Sequence, residues 1–213
     1  MIRKKDLLDK NARLSEENDI LRKVQREHEE LESFIAWLND LCLRKKYQFC
    51  GIRKITFNHS RQKPCYIGFV LENILYLEPQ KHYSYTLYGY LSTAKRSDMP
   101  TPAYTAFLMQ QYSEPLIGIT NELELIDNRI PRKDLRREGI GSAGMSIIKE
   151  LAKHLHCTLI TGQKEAEEDT PKSLAELTAF YDAHGFDQDD HSNCISFDMK
   201  NYKAPKFEVS ENN

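Results

Sequence analysis

Two arginines and three closely spaced glycines, Arg136, Arg137, Gly139, Gly141 and Gly144, run straight into a helical pattern over residues 145–152. Ile148, Leu151, Ala152 and Leu155 recur at i, i+3, i+4 and i+7, the stripe of a helix that buries one face. Ahead of the glycines, Leu123-Glu124-Leu125-Ile126 alternates like a strand. The order is strand, glycine-rich turn, helix. Such glycines clear side chains from the place where a helix N-terminus leaves backbone N–H groups unpaired. Those donors, with the positive end of the helix dipole, suit a phosphate or pyrophosphate. Arg136 and Arg137 add charge beside them. Taken alone, the glycines also read as ordinary turn residues. Gly139, Gly141 and Gly144 match the letters of a dinucleotide fingerprint, but the segment about 20 residues on, Thr158–Gly162, does not end in the carboxylate that motif needs. No Lys-Ser or Lys-Thr follows the glycines, so the P-loop pattern fails as well.

The elements that must position this turn occupy 213 residues, room for one ordinary domain and an appendage. Hydrophobic residues make up 40%, enough for a core, and the formal net charge of −2 gives no general attraction to nucleic acid or an anionic membrane. No apolar run approaches a membrane span, and Met1-Ile2-Arg3-Lys4-Lys5 leads into polar helix, not a signal-peptide core, so a cytoplasmic protein is expected. The cysteines at 42, 50, 65, 157 and 194 are scattered without a Cys-x-x-Cys pair. They read as reduced thiols; neither a metal site nor a disulfide frame is expected.

Residues 1–48 lack proline and glycine and are rich in Leu, Glu, Lys and Arg, which predicts one long helix. Leu7, Leu14, Leu21 and Ile35 share one heptad position, interrupted by His28; Val24, Leu31 and Leu38 share the position three residues later, where Lys10 and Glu17 come first. This seam suits a coiled coil and a homodimer; the bland alternative is a solvated helix lying on its own domain. Phe34, Ile35, Trp37, Leu38, Leu41 and Leu43 spread around the helix, so that end is expected to dock on the body. Residues 49–203 form that body and 204–213 a flexible tail. Strands are predicted at Ile52–Phe57, in the apolar runs Cys65–Leu71 and Ile74–Leu77, at Tyr83–Leu91, Pro115–Thr120, Glu122–Ile126, Cys157–Thr161 and Asn193–Met199. Ala103–Tyr112 is predicted as a short helix. Thr170 before Pro171 suits a cap and first turn for a helix that Gly185 ends. The tyrosines at 83–90 line either a substrate groove or, more commonly, a sheet face under a helix.

Arg136, Gly139 and Gly141 fill the fixed places of Arg/Gln-x-x-Gly-x-Gly/Ala, and residues 177–186 end in Phe180-Tyr181-x-x-x-Gly185-Phe186. The two patterns, in this order and with a strand-like segment between them, resemble the GNAT family of N-acetyltransferases over roughly residues 120–200. The resemblance implies a mixed α+β fold, an α/β sheet whose central strands splay to admit acetyl-CoA. It implies that the backbone of Arg136, Arg137, Glu138, Gly139, Ile140, Gly141 and Ser142 holds the pyrophosphate. The carbonyls of strand 122–126, with Leu125 and Ile126 at its end, would pair with the pantetheine arm. It further implies that Tyr181 protonates the departing thiolate and that Glu122 or Glu124 accepts the proton of an amine acceptor. Beside that stand plainer readings: Tyr181 as packing, the glutamates as solvated carboxylates. His154, His156 and His184 are weaker candidates for a base. Leu174 occupies the place where many members carry an asparagine for the pantetheine, and no helices follow Ile52–Phe57 where the family has them. A non-catalytic ligand-binding or scaffold module, dimerised by the long helix, is the alternative.

Overall fold

A computed structural model describes residues 4–57, 64–75, 83–94, 96, 100–113, 120–164, 171–189 and 192–203. Helix α1 spans Lys4–Lys45, followed by strands β1 Gln48–Ile55, β2 Cys65–Leu75, β3 Tyr83–Leu91, β4 Tyr104–Ser113 and β5 Thr120–Arg129. Helix α2 is Ile140–His154, β6 is Leu159–Gln163, α3 is Pro171–Ala183, and β7 Asp187–Gln188 and β8 Cys194–Asp198 complete the order. The strands form one eight-stranded sheet ordered β1-β2-β3-β4-β5-β6-β8-β7. Neighbours pair antiparallel except β5 and β6, which run parallel. This is the mixed α+β sheet, preceded by a long helix, that the sequence leads one to expect.

Alternation along the strands sends side chains to two faces. Leu87 of β3, Ala106 and Leu108 of β4, Leu123 and Leu125 of β5 and Ile160 of β6 bury on one face with Ile140, Ile147, Ile148 and Ala152 of α2. On the other face Val70 and Tyr90 pack with Phe34, Leu38 and Leu41 of α1, spaced i, i+4, i+7. Gly68 seats that helix: a Cβ there would stand 2.3 Å from Leu38 Cδ1. Burying three such side chains is worth about 2 kcal/mol each, which offsets the cost of ordering the helix where it lies. Tyr88 and Tyr90 face the α1 side while Tyr85 joins the main core, so β3 is chiefly a sheet element under helices.

At its 42 residues α1 is about 63 Å long, more than the sheet it crosses. Contact with the body begins at Glu27, ion-paired with Lys54 at 3.5 Å, and at Ser33, which accepts from Arg96 at 2.6 Å. Before that point Leu14, Leu21 and Val24 are 45%, 64% and 58% exposed. The C-terminal part of the helix docks as expected; the earlier part projects.

Several expected elements differ. Residues 104–113 are a strand and not a helix: Tyr104, Ala106, Leu108 and Gln110 are all buried on one face, a period of two, while Phe107 and Met109 on the other face mask that alternation. The runs expected at 65–71 and from 74 are one strand, β2, continuous through Glu72 and Asn73, which pair with Thr86 and Tyr85 of β3, and Glu72 accepts from the Tyr88 hydroxyl at 2.9 Å; residues 76 and 77 of the second run lie outside the described residues. β1 starts earlier than Ile52, with a bulge between Phe49 and Gly51. β6 lies two residues later than 157–161, after a turn in which the Cys157 amide bonds the Ala152 carbonyl. β8 ends at Asp198, whose side chain caps the turn at Met199–Asn201. The expected strand at 115–120 reaches the described residues only at Thr120, and the Thr170 cap and the tail 204–213 lie outside them. No helix among the described residues is long and apolar enough to cross a membrane.

Candidate functional site

β5 delivers the chain to the turn at the edge of the core. After Arg129 a short helical turn, Lys133–Leu135, buries Leu135 and aims the backbone at the start of α2. Arg137 (φ 64°) and Gly139 (φ 82°) both sit in the left-handed region. Gly139 is the residue before the helix and offers no side-chain cap. A Cβ added to it would meet nothing within 4 Å, so the backbone conformation, and not crowding, calls for glycine there. The first helical bond runs from the Ala143 amide to the Gly139 carbonyl at 3.0 Å. The amides of Ile140, Gly141 and Ser142 precede it and have no partner among the described residues.

The flanking charges are held in place. Arg136 donates to the Ile130 carbonyl at 3.4 Å, tying the turn to the end of β5. Arg137 pairs with Glu176 of α3 at 2.5 Å, and Glu138 is buried at 4% exposure. Gly141 faces α3, with a would-be Cβ 3.3 Å from the Phe180 ring. Gly144 has a different task from its two neighbours. A Cβ there would stand 2.2 Å from the Tyr104 ring, so this glycine lets α2 lie on β4 and does not belong to the open turn.

Beside the turn the sheet opens. β5 and β6 pair only from Glu122–Leu125 to Leu159–Gly162, while β5 continues to Arg129. A bulge sets Phe107 opposite Asp127 and Leu108 opposite Leu125, leaving Ile126 over, 52% exposed. From Ile126 onward β5 is bonded to β4 alone, and the strand edge that faced β6 carries its backbone groups unpaired by a neighbouring strand. Tyr181, in the last turn of α3, reaches this end and hydrogen-bonds the Asn128 side chain. It is 3% exposed, and burial raises its pKa above that of an ordinary phenol; the Asn128 bond opposes that shift and Asp127 adds to it. The phenol therefore stays protonated through neutral pH. Tyr104 lies beneath, fully buried, its hydroxyl without a partner among the described residues and its pKa raised by burial first and then by Tyr181 and Asp127.

Glu122 and Glu124 alternate with the buried Leu123 and Leu125, so they occupy the opposite face of β5 from α2 and α3. Glu124 accepts from Gln111 of β4 at 2.5 Å. The turn, Leu125, Ile126 and Tyr181 thus gather at the open end of β5, with the two glutamates behind the sheet. His154 and His156 are exposed at the far end of α2, away from this group. His184 bonds Ser142 through Nε2 at 3.1 Å, and burial and then Lys149 lower its pKa. Asn128, Asp127 and Tyr104 were not legible as site residues, because the sequence shows neither the bulge at Ile126 nor the reach of β5 to Arg129. No cluster of three metal-ligating side chains occurs among the described residues.

No family model matches the chain, and no curated protein matches it. Solved structures similar to it include the KacTA–DNA complex, at 18% identity and a TM-score of 0.39, covering 56% of this chain and 69% of that one. A mutant AtaT toxin bound to the C-terminus of the antitoxin AtaR and acetyl-CoA aligns at 14% identity and a TM-score of 0.38, over 56% of this chain and 69% of that one. The mutant toxin bound to the C-terminus of AtaR alone aligns at 12% identity and a TM-score of 0.39, over 62% of this chain and 94% of that one.

Proposed function

We propose that this chain is a GNAT-like N-acetyltransferase that moves an acetyl group from acetyl-CoA to an amine. The observation that carries the reading is the coincidence, at one end of β5, of an unpaired strand edge, an uncapped helix N-terminus and a buried phenol. In this reading the amides of Ile140, Gly141 and Ser142 and the turn from Arg136 hold the pyrophosphate. Leu125 and Ile126 offer backbone groups to the pantetheine amides. The amine nitrogen attacks the thioester carbonyl, the new C–N bond forms and the C–S bond breaks. Tyr181 gives its proton to the departing sulfur and regains one from solvent, while the proton released by the amine passes to Glu122 or Glu124 through water. The position of the glutamates supports an acceptor that arrives from the face opposite α2. A cytoplasmic enzyme fits the sequence's scattered thiols.

The projecting part of α1 supports a homodimer. Leu14, Leu21 and Val24, each worth on the order of 2 kcal/mol when buried, are enough to hold two copies at micromolar concentration. Leu174 favours a second reading, a fold kept as a ligand-binding or scaffold module, since an apolar side chain there cannot bond a pantetheine amide. Release of free thiol from acetyl-CoA over a panel of amines separates the two. Turnover with at least one amine, slowed about 10²-fold in Tyr181→Phe, is expected; acetyl-CoA binding without turnover on any amine would leave the scaffold reading.

A further inference from the structure

A cleft of about 440 Å³ lies beyond the C-terminal end of α3, on the flank of α2. It is lined by Ser142, Ser146 and Lys149 on successive turns of α2, by His184 after α3, and by Phe197 and Asn201–Lys203. His184 stands between the cleft and the turn at 136–142, with its ring 4.7 Å from that of Phe180 and its Nε2 on the Ser142 hydroxyl. The lining supplies two hydroxyls, an imidazole, an amide, a phenol and two ammonium groups, and no carboxylate.

Lys149 is the decisive group. Its ammonium donates to the His184 carbonyl and lies 3.8 Å from the centre of the Phe197 ring and 5.3 Å from that of Phe186. No carboxylate pairs with it among the described residues, although three stand on neighbouring segments. Glu150 is taken by Arg53, Asp182 by Gln188, and Asp198 by the Lys200 amide at 2.8 Å. A half-buried cation held by a carbonyl and two ring faces is short of negative charge, and burial lowers its pKa accordingly. Lys153, above the Tyr202 ring at 5.7 Å, and Lys203 add positive charge at the rim.

We propose that this cleft binds a phosphate group, as a second anion site that adjoins the turn at 136–142 through Ser142. The donors come from three segments, α2, the end of α3 and residues 201–203, which suits a tetrahedral oxyanion with three or four acceptor oxygens better than a planar carboxylate with two. The aromatic lining of Phe197 and Tyr202 and the cleft's volume leave room for a small organic phosphate as well as inorganic phosphate. The inference does not depend on the chemistry of acetyl transfer, because none of its groups is Tyr181, Glu122 or Glu124; Ser142 is the one residue it shares with the turn, through its hydroxyl and not its amide.

Inorganic phosphate titrated into the full-length protein, with the His184 imidazole followed by NMR, tests it. The site predicts a saturable shift of the His184 signals at millimolar phosphate and a rise in the His184 pKa, since a bound anion favours the protonated ring. Lys149→Met, which keeps the stem on Phe197, should weaken binding ~10-fold, a charge-assisted contact's worth, and Ser146→Ala by a smaller factor. Unchanged affinity in a folded Lys149→Met protein, or no His184 response in the wild type, would overturn the proposal. Repeating the titration with acetyl-CoA present separates the two sites. A retained His184 response supports a separate cleft, whereas loss of the response would make the cleft part of the acetyl-CoA site and end the claim of a second one. Failure of acetyl-CoA to bind at all would count against the acetyltransferase reading and leave the phosphate result standing. A small organic phosphate that binds more tightly than inorganic phosphate identifies the natural class; equal affinities point to inorganic phosphate itself.

Discussion

In the half of the sheet built from β1 to β4 all neighbours are antiparallel, and α1 crosses the face opposite α2. In the half built from β5 to β8 one parallel step brings helices between strands, and β5 parts from β6 after four paired residues. The glycines show what separates the halves. Gly68 and Gly89 of the first half are occupied by neighbours, Leu38 against one and Tyr104 against the other, so they exist for close packing. Gly139 of the second half meets nothing and is there for its backbone angle. The closed half buries side chains, and the open half leaves backbone amides and a phenol where a ligand can use them. Gly144 lies within six residues of Gly139 yet behaves like the closed half, because Tyr104 of β4 reaches under α2.

The largest effect should follow from forcing that junction. Gly144→Val puts methyl groups where the fully buried Tyr104 ring lies, and a loss of about 3 kcal/mol or more is expected in urea unfolding. Leu38→Ala breaks only the closed half, with a loss of about 3 kcal/mol and no change in acetyl-CoA affinity while the chain stays folded. Coupled loss of both would mean the halves are not separable. Tyr181→Phe should lower kcat by about 10²-fold, the usual worth of a general acid, with melting temperature and acetyl-CoA affinity unchanged. Since burial raises the Tyr181 pKa, the protonated acid persists above the ordinary phenol range, so the alkaline limb of the rate profile should lie above it and vanish in the variant. An unaltered kcat would leave Tyr181 a packing residue.

Smaller effects sharpen the boundary. Deleting residues 1–26 removes the projecting part of α1 and spares the docked stripe at Phe34, Leu38 and Leu41. A monomer in ultracentrifugation with unchanged stability of the body is expected; a full-length chain that already sediments as a monomer would refute the dimer. Tyr104→Phe removes a buried hydroxyl that has no partner among the described residues, so stability should hold or rise by about 1 kcal/mol. It should also lessen the loss of stability above pH 10, about where an unfolded tyrosine ionises and a buried one does not.

Elements with one strong period were legible. The strand Tyr83–Leu91, the stripe of α2 and the helix ended by Gly185 lie where the residues predict. β4 was not, because both of its faces carry apolar side chains and the alternation shows only as burial. The turn could be read because glycine spacing before an amphipathic helix is local. Its partners could not: the Asn128 bond to Tyr181 depends on a bulge two residues earlier, and the task of Gly144 depends on Tyr104, far away in the chain. The part of α1 that docks followed from the clustering of Phe34, Trp37, Leu38 and Leu41, but its seat on Gly68 had no local signal.

Calorimetric titration of acetyl-CoA into the wild-type chain and into Gly139→Trp and Gly139→Asn tests the central claim most directly. Space around Gly139 is open, so the tryptophan meets no core side chain and its cost is the strain of the left-handed backbone, a strain that asparagine tolerates better while adding little bulk. Micromolar binding to the wild type, near-normal binding to Gly139→Asn and loss of at least ~30-fold in a folded Gly139→Trp protein are the predicted results, since a large side chain would stand over the amides that face the pyrophosphate. Wild-type affinity in Gly139→Trp, or no binding to the wild-type chain, would contradict the account.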